Sequence, residues 1–275
     1  MMKASRLICL LLAVPILLQT STGWGVAKET AFQVKETAHF QIEHQDENMA
    51  GRLARVAEDV FPRILRDLDA PSPLDLPIWK GRKIRVTLYN TRAEYTHLAT
   101  HPPWSDGHAD SFKLVITMHR EQSSGAMGRL FTHELTHLIF DNYLGFSHTS
   151  VNWISEGLAE LEEARFARQA EQTALYIEQI RKGTYIPLEQ LVYMDVHWER
   201  DSDKVRLWYA EALALSLVTY LIKGHGERTF QNFLSVLRKK SVDQSLEAVY
   251  GPQIKNVKDL QESWLQYMKT HEQRW

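Results

Sequence analysis

Leu130-Phe131-Thr132-His133-Glu134-Leu135-Thr136-His137-Leu138-Ile139-Phe140 is the stretch on which the reading turns. His133 and His137 are four residues apart, so on a helix their imidazoles share one face and converge on one point. Glu134 follows His133 directly, where its carboxylate reaches a water held at that point. Leu130, Phe131, Leu135, Leu138 and Ile139 make the same helix apolar nearly all round, which is the pattern of a buried helix. Two histidines and a glutamate are costly to bury there without partners, so a surface helix carrying two incidental histidines fits poorly. The H-E-x-x-H spacing instead suits a zinc ion held by the histidines, with the glutamate as general base.

A catalytic zinc takes three protein ligands and leaves a fourth position for water. Glu156, nineteen residues beyond His137, stands in Asn152-Trp153-Ile154-Ser155-Glu156-Gly157-Leu158-Ala159-Glu160. The two segments together resemble the gluzincin metallopeptidases, thermolysin-like and aminopeptidase-N-like, and most closely their small peptidase-MA-like relatives. That resemblance covers residues 123–170 and implies Zn2+ as the cofactor. It implies His133, His137 and Glu156 as ligands and Glu134 as general base. It also implies Glu160 as the acid that accepts the other ring proton of His133. Glu162 and Glu163 read as solvated helix glutamates.

These families place a Tyr or His from a later helix on the oxyanion. Trp208-Tyr209-Ala210-Glu211-Ala212-Leu213-Ala214-Leu215 supplies Tyr209 for that role, with a core aromatic as its other reading. Tyr193 and His197, in an irregular stretch upstream, compete for the same role. Aminopeptidase-N-like enzymes also carry a G-x-M-E-N strand whose Glu holds the substrate amine. Here Gly125-Ala126-Met127 is followed by Gly128 and Arg129, which leaves that amine clamp without a counterpart.

Outward from this segment, the chain divides by period. Residues 38–44 and 83–89 alternate as half-buried strands, and 113–118 reads as a third. Between the first two, Asp46 opens a helix carrying Leu53, Val56, Val60, Ile64 and Leu68 at helical spacing to Asp69. Thr91 and Glu94 form a capping-box signature for a short helix. After about Ser123 the pattern is helical over 126–142, 152–181, 206–223, 227–239, 243–249 and 256–270, interrupted by an irregular stretch at 183–200. Strands first and helices after is the α+β class: a small N-terminal mixed sheet with helices, then a mostly helical zinc-binding half, as in a thermolysin/aminopeptidase-like catalytic domain. The expected division is 1–23, 24–123 and 124–275. The resemblance implies that the third strand, Lys113 to Met118, runs beside the cleft as a sheet edge able to pair with an extended peptide. The nine other histidines show no ligand spacing to one another and read mostly as surface residues.

The 275 residues are 44% hydrophobic and 24% charged, too apolar for disorder, and a formal charge of −2 selects no acidic polymer or anionic membrane. Lys3 and Arg6, the apolar run Leu7 to Leu18 and the small-residue stretch to Gly23 follow the order of a secretory signal peptide. The run is shorter than the ~20 residues that span a bilayer. Cleavage is expected between about residues 23 and 27, giving an exported chain, secreted or periplasmic. The alternative is a membrane tether by an uncleaved signal. The one cysteine, Cys9, lies inside that signal, so disulfide, thiolate and Cys-based zinc chemistry are excluded from the mature chain.

The leading expectation is therefore an exported zinc-dependent endopeptidase acting on a peptide or protein substrate, with no nucleic-acid partner and no stable membrane insertion after cleavage. Two alternatives stand beside it: a catalytically silent zinc-binding interaction domain, and an aminopeptidase. Oligomeric state is not legible. Intact mass of the exported chain should be short by residues 1–23 to 1–27, and a full-length mass would place the chain on an uncleaved tether.

Overall fold

β1 (Gln33–Glu36), β2 (Phe40–His44), β3 (Ile84–Tyr89), β4 (Gly107–Asp110) and β5 (Val115–His119) form one mixed sheet in the computed structural model of the chain. It describes residues 31–98, 105–120, 123–145, 151–166, 178–192 and 204–270, so the expected signal segment, Tyr193 and His197 lie outside the described residues. The strand order is β1-β2-β3-β5-β4. β2, β3 and β5 run parallel, while β1 and β4 close the two edges in antiparallel fashion. On β2 the burial alternates from Phe40 to His44, as a period of two requires when one face meets the core.

The helix α1 (Glu47–Leu68) crosses between β2 and β3. Asp46 caps it by accepting from the N–H groups of Asn48 and Met49 at 2.9 and 3.1 Å, and Asp69 ends it in the left-handed region. Leu53, Val60, Ile64 and Leu68 lie on its buried stripe. α2 (Arg92–Leu98) covers the far ends of β3 and β5, and α3 (Ser124–Leu144) follows the sheet. α4 (Asn152–Phe166), α5 (Leu188–Val192), α6 (Lys204–His225), α7 (Glu227–Leu237), α8 (Val242–Tyr250) and α9 (Val257–Thr270) complete the helical half. One core runs from Phe40 on the sheet to Met268 on α9, and Phe40 meets Phe61 of α1 and Phe131 of α3 edge-on at 5.6 and 5.7 Å. This is the expected α+β architecture. Among the described residues no helix is long and apolar enough to cross a membrane.

Two expectations change. The segment Lys113–Met118 is not a sheet edge, because β5 pairs with β3 on one side and with β4 on the other. β4 has the sequence Gly-His-Ala-Asp, with no β-branched residue, and owes its extended form to pairing and to the helix behind it. Second, His44 and His119 are buried. Each ends a strand beneath a helix, with Nε2 3.3 Å from Glu47 and 3.1 Å from Asp106 respectively. The expected helix 152–181 is helical in both described parts, α4 and residues 178–181, and residues 167–177 lie outside the described residues.

α3 is pinned to the β4–β5 hairpin at its C-terminal end. Asn142 accepts from Trp79 Nε1 at 3.0 Å and donates to the carbonyls of Ser111 and Leu138 at 3.2 and 2.8 Å. The Ser111 hydroxyl donates to Asp141 at 2.7 Å. Leaving one such buried group unpaired costs about 1–3 kcal/mol, several times the ~0.5 kcal/mol of a single helix side-chain pair, so this network sets where α3 lies along the sheet.

Candidate metal centre

α3 is buried on all sides, as its sequence demands, with Phe131, Leu135, Leu138 and Phe140 fully inside. Its hydroxyls are satisfied internally: Thr132 donates to the Gly128 carbonyl and Thr136 to the Thr132 carbonyl, both at 2.8 Å. The one gap in this apolar shell is the His133/His137 face, and α4 closes it with Glu156.

The two imidazoles aim their Nε2 atoms at each other, 3.0 Å apart. Glu156 Oε2 lies 3.6 Å from His133 Nε2 and 3.5 Å from His137 Nε2. With both ring lone pairs turned inward, the two nitrogens and the carboxylate would offer three donor atoms to one positive centre among them. Zinc bonds of about 2.0–2.1 Å in tetrahedral geometry hold ligand atoms about 3.3–3.4 Å apart, close to this triangle. Three protein ligands leave one coordination position for water or substrate, so the donor set fits a catalytic zinc. With Nε2 turned inward, His137 carries its hydrogen on Nδ1 and donates to Ser155 Oγ at 2.8 Å, which fixes the ring.

His133 Nδ1 lies between two carboxylates, 3.7 Å from Glu160 and 3.5 Å from Glu163. The structure thus places Glu160 behind His133 and adds Glu163. Glu163 is no solvated glutamate: it joins His133 to Arg129, whose Nε is 3.4 Å away. Glu162 is not solvated either. It is 1% exposed and lies 2.7 Å from Arg165 and 3.4 Å from Arg63 of α1. Glu134 is 8% exposed, beside the two histidines.

Charge follows geometry. Burial presses the imidazoles toward neutrality, but Glu156 and its neighbours hold both above the ordinary histidine value. Burial also opposes ionisation of Glu156, yet His137 and His133 keep it well below the usual carboxylate range. Burial raises Glu134, a carboxylate made more basic. Glu160 is pushed up to about 7 by burial, with Glu163 and Glu156 adding to the effect.

Glu211 on α6 is held well above its ordinary value by burial and by Glu160, Glu156 and Glu163, and so belongs to the same carboxylate group. Sequence reasoning passed over it in favour of Tyr209. The available signal was a lone carboxylate opening the uncharged run Ala212 to Leu221. Tyr209 itself lies within α6, and its side chain is outside the described residues. α6 comes this close because of Gly157, the neighbour of Glu156. A Cβ there would lie 2.4 Å from the Ala214 carbonyl oxygen and 2.6 Å from Val218, a clash no side chain survives. A surplus of carboxylates around two imidazoles is a setting that a divalent cation balances.

A family model described as Peptidase MA superfamily matches residues 79–270, a span that contains every residue of this centre. No curated protein matches the chain.

Protein purified without added metal should carry one zinc per chain by elemental analysis. His133→Ala should lose it, and full zinc in that variant would remove His133 from the ligand set. Glu160→Ala and Glu163→Ala should each weaken zinc binding by about 10–100-fold, since each steadies the His133 ring.

Proposed function

The chain belongs to the Peptidase MA superfamily, and from that membership and the centre just described we propose that it is an exported zinc-dependent endopeptidase. The observation that carries the reading is the convergence of His133, His137 and Glu156 on one point, with the Glu134 carboxylate buried beside it.

His133, His137 and Glu156 would hold a zinc ion, which when bound would supply Lewis-acid polarisation of the scissile carbonyl and a more acidic water. Glu134 takes a proton from the attacking water and returns it to the leaving nitrogen as the C–N bond breaks. Its burial suits this cycle, because a carboxylate raised toward neutrality accepts and releases a proton at similar cost. β4 is the edge strand of the sheet and passes beside Glu134. An extended peptide adds to such an edge by backbone hydrogen bonds, which suits an enzyme that cuts within a chain. The lack of an amine clamp after Met127 points the same way. Tyr209 is the proposed donor to the oxygen that gains charge in the transition state.

Amide-blocked peptides and casein, with and without a chelator, test the class of reaction. Chelator-sensitive cleavage of blocked peptides is expected; cleavage of free N-termini alone would indicate an aminopeptidase, and no cleavage a zinc-binding interaction domain. Glu134→Gln should keep fold and zinc yet lose nearly all turnover, because an amide cannot accept the water's proton. Activity within tenfold of wild type would end the general-base assignment.

Tyr209→Phe should lower kcat by about 10²–10³ with KM and Tm nearly unchanged, the signature of a bond made mainly in the transition state. An intact kcat would pass that role to Tyr193 or His197.

A further inference from the structure

Gly107 opens β4 opposite Met118, where the edge strand passes α3. Its backbone is not in the left-handed region, so conformational freedom does not explain a glycine here. Glycine also weakens a strand interior, having no side chain to pack. Close approach explains it. A Cβ on Gly107 would lie 3.2 Å from Glu134 Oε1, and 3.1 and 3.2 Å from the two methyl groups of Leu130. Favourable carbon contacts lie at about 3.5–4.0 Å, so a methyl group would be tight here, and Glu134 or Leu130 would have to give by a few tenths of an ångström.

The bare backbone of Gly107 therefore forms the wall against which one oxygen of Glu134 rests. Behind the carboxylate, α3 is held by the fully buried Phe131, Leu135 and Leu138, and its far end is tied to the β4–β5 hairpin through Asn142 and Asp141. We propose that Gly107 is a positioning residue for the reaction: by presenting no side chain, it sets the place of Glu134 Oε1 and hence the direction in which the second oxygen meets the attacking water. This rests on the endopeptidase reading only for its consequence in turnover, since the positioning itself is a matter of geometry.

Gly107→Ala tests it with two readouts. The methyl group should displace the Glu134 carboxylate by a few tenths of an ångström, visible by crystallography of the metal-free variant against metal-free wild type. It should also lower kcat on a blocked peptide by about 5–10-fold, given that a 1 Å misplacement costs about 10²-fold, with KM and zinc content unchanged. A double variant, Gly107→Ala with Leu130→Ala, removes the leucine contacts and leaves Glu134 as the neighbour the methyl group meets. Measured against Leu130→Ala alone, it should keep both the displacement and the kcat loss, and it serves equally if the single variant folds poorly. An unmoved Glu134, a kcat within twofold of the parent, or a loss that disappears in the Leu130→Ala background would overturn the proposal. Were wild type to cleave no peptide, the endopeptidase reading would fail, and the crystallographic comparison would still decide the positioning.

Discussion

Two imidazole nitrogens 3.0 Å apart, facing a carboxylate in the middle of an apolar helix pair, form the interaction on which the rest of the structure depends. Protons held on the imidazoles answer the Glu156 carboxylate, and a divalent cation would take over that role. Glu134, Glu160 and Glu211, their carboxyls raised by burial, and Glu163, facing the Arg129 guanidinium, lie in the same region. The arrangement resembles a lock set for positive charge: carboxylates disfavoured individually by burial are tolerated together because a divalent ion would neutralise several at once.

Holding that cluster open is the task of the surrounding packing. α3 cannot slide, since Asn142 and Asp141 tie its end to the hairpin and to Trp79. α4 is tied to α1 through Glu162, Arg165, Arg63 and Asp67, with Arg165 reaching both Asp67 and Glu162. On its other side, α4 meets α6 backbone to side chain across Gly157. Two glycines thus bracket the centre. Gly157 lets a helix approach the third ligand, and Gly107 lets a strand approach the proposed base. In both places the absent side chain sets how near the neighbouring element stands to the candidate metal centre.

The sheet contributes an edge rather than a ligand. β4 is the last strand of the sheet, paired with β5 and passing α3 beside Glu134. A strand of Gly, His, Ala and Asp would not hold itself extended. It does so because β5 pairs with it and α3 supports it, and this dependence ties the place where a substrate would lie to the helix that would cut it.

His133 and His137 were legible in the chain, because a helix repeats every 3.6 residues and places residues four apart on one face whatever its surroundings, while Glu134 came from the H-E-x-x-H motif and Glu156 only from the resemblance of its segment to the gluzincins. The α+β class was legible for the same reason, from a period of two giving way to a period of 3.6. Glu163 and Glu211 were not. Glu163 becomes a partner of His133 only once α4 has docked on α3, and Glu211 only once α6 has docked on α4. Nor was β4, whose residues carry no strand preference, and with it went the true sheet edge and the contact at Gly107. Local spacing determines which groups one helix can aim together. Which groups from separate elements then meet them depends on closest approach between backbones, and that is settled by packing and by the side chains that are missing, through contacts far apart in sequence.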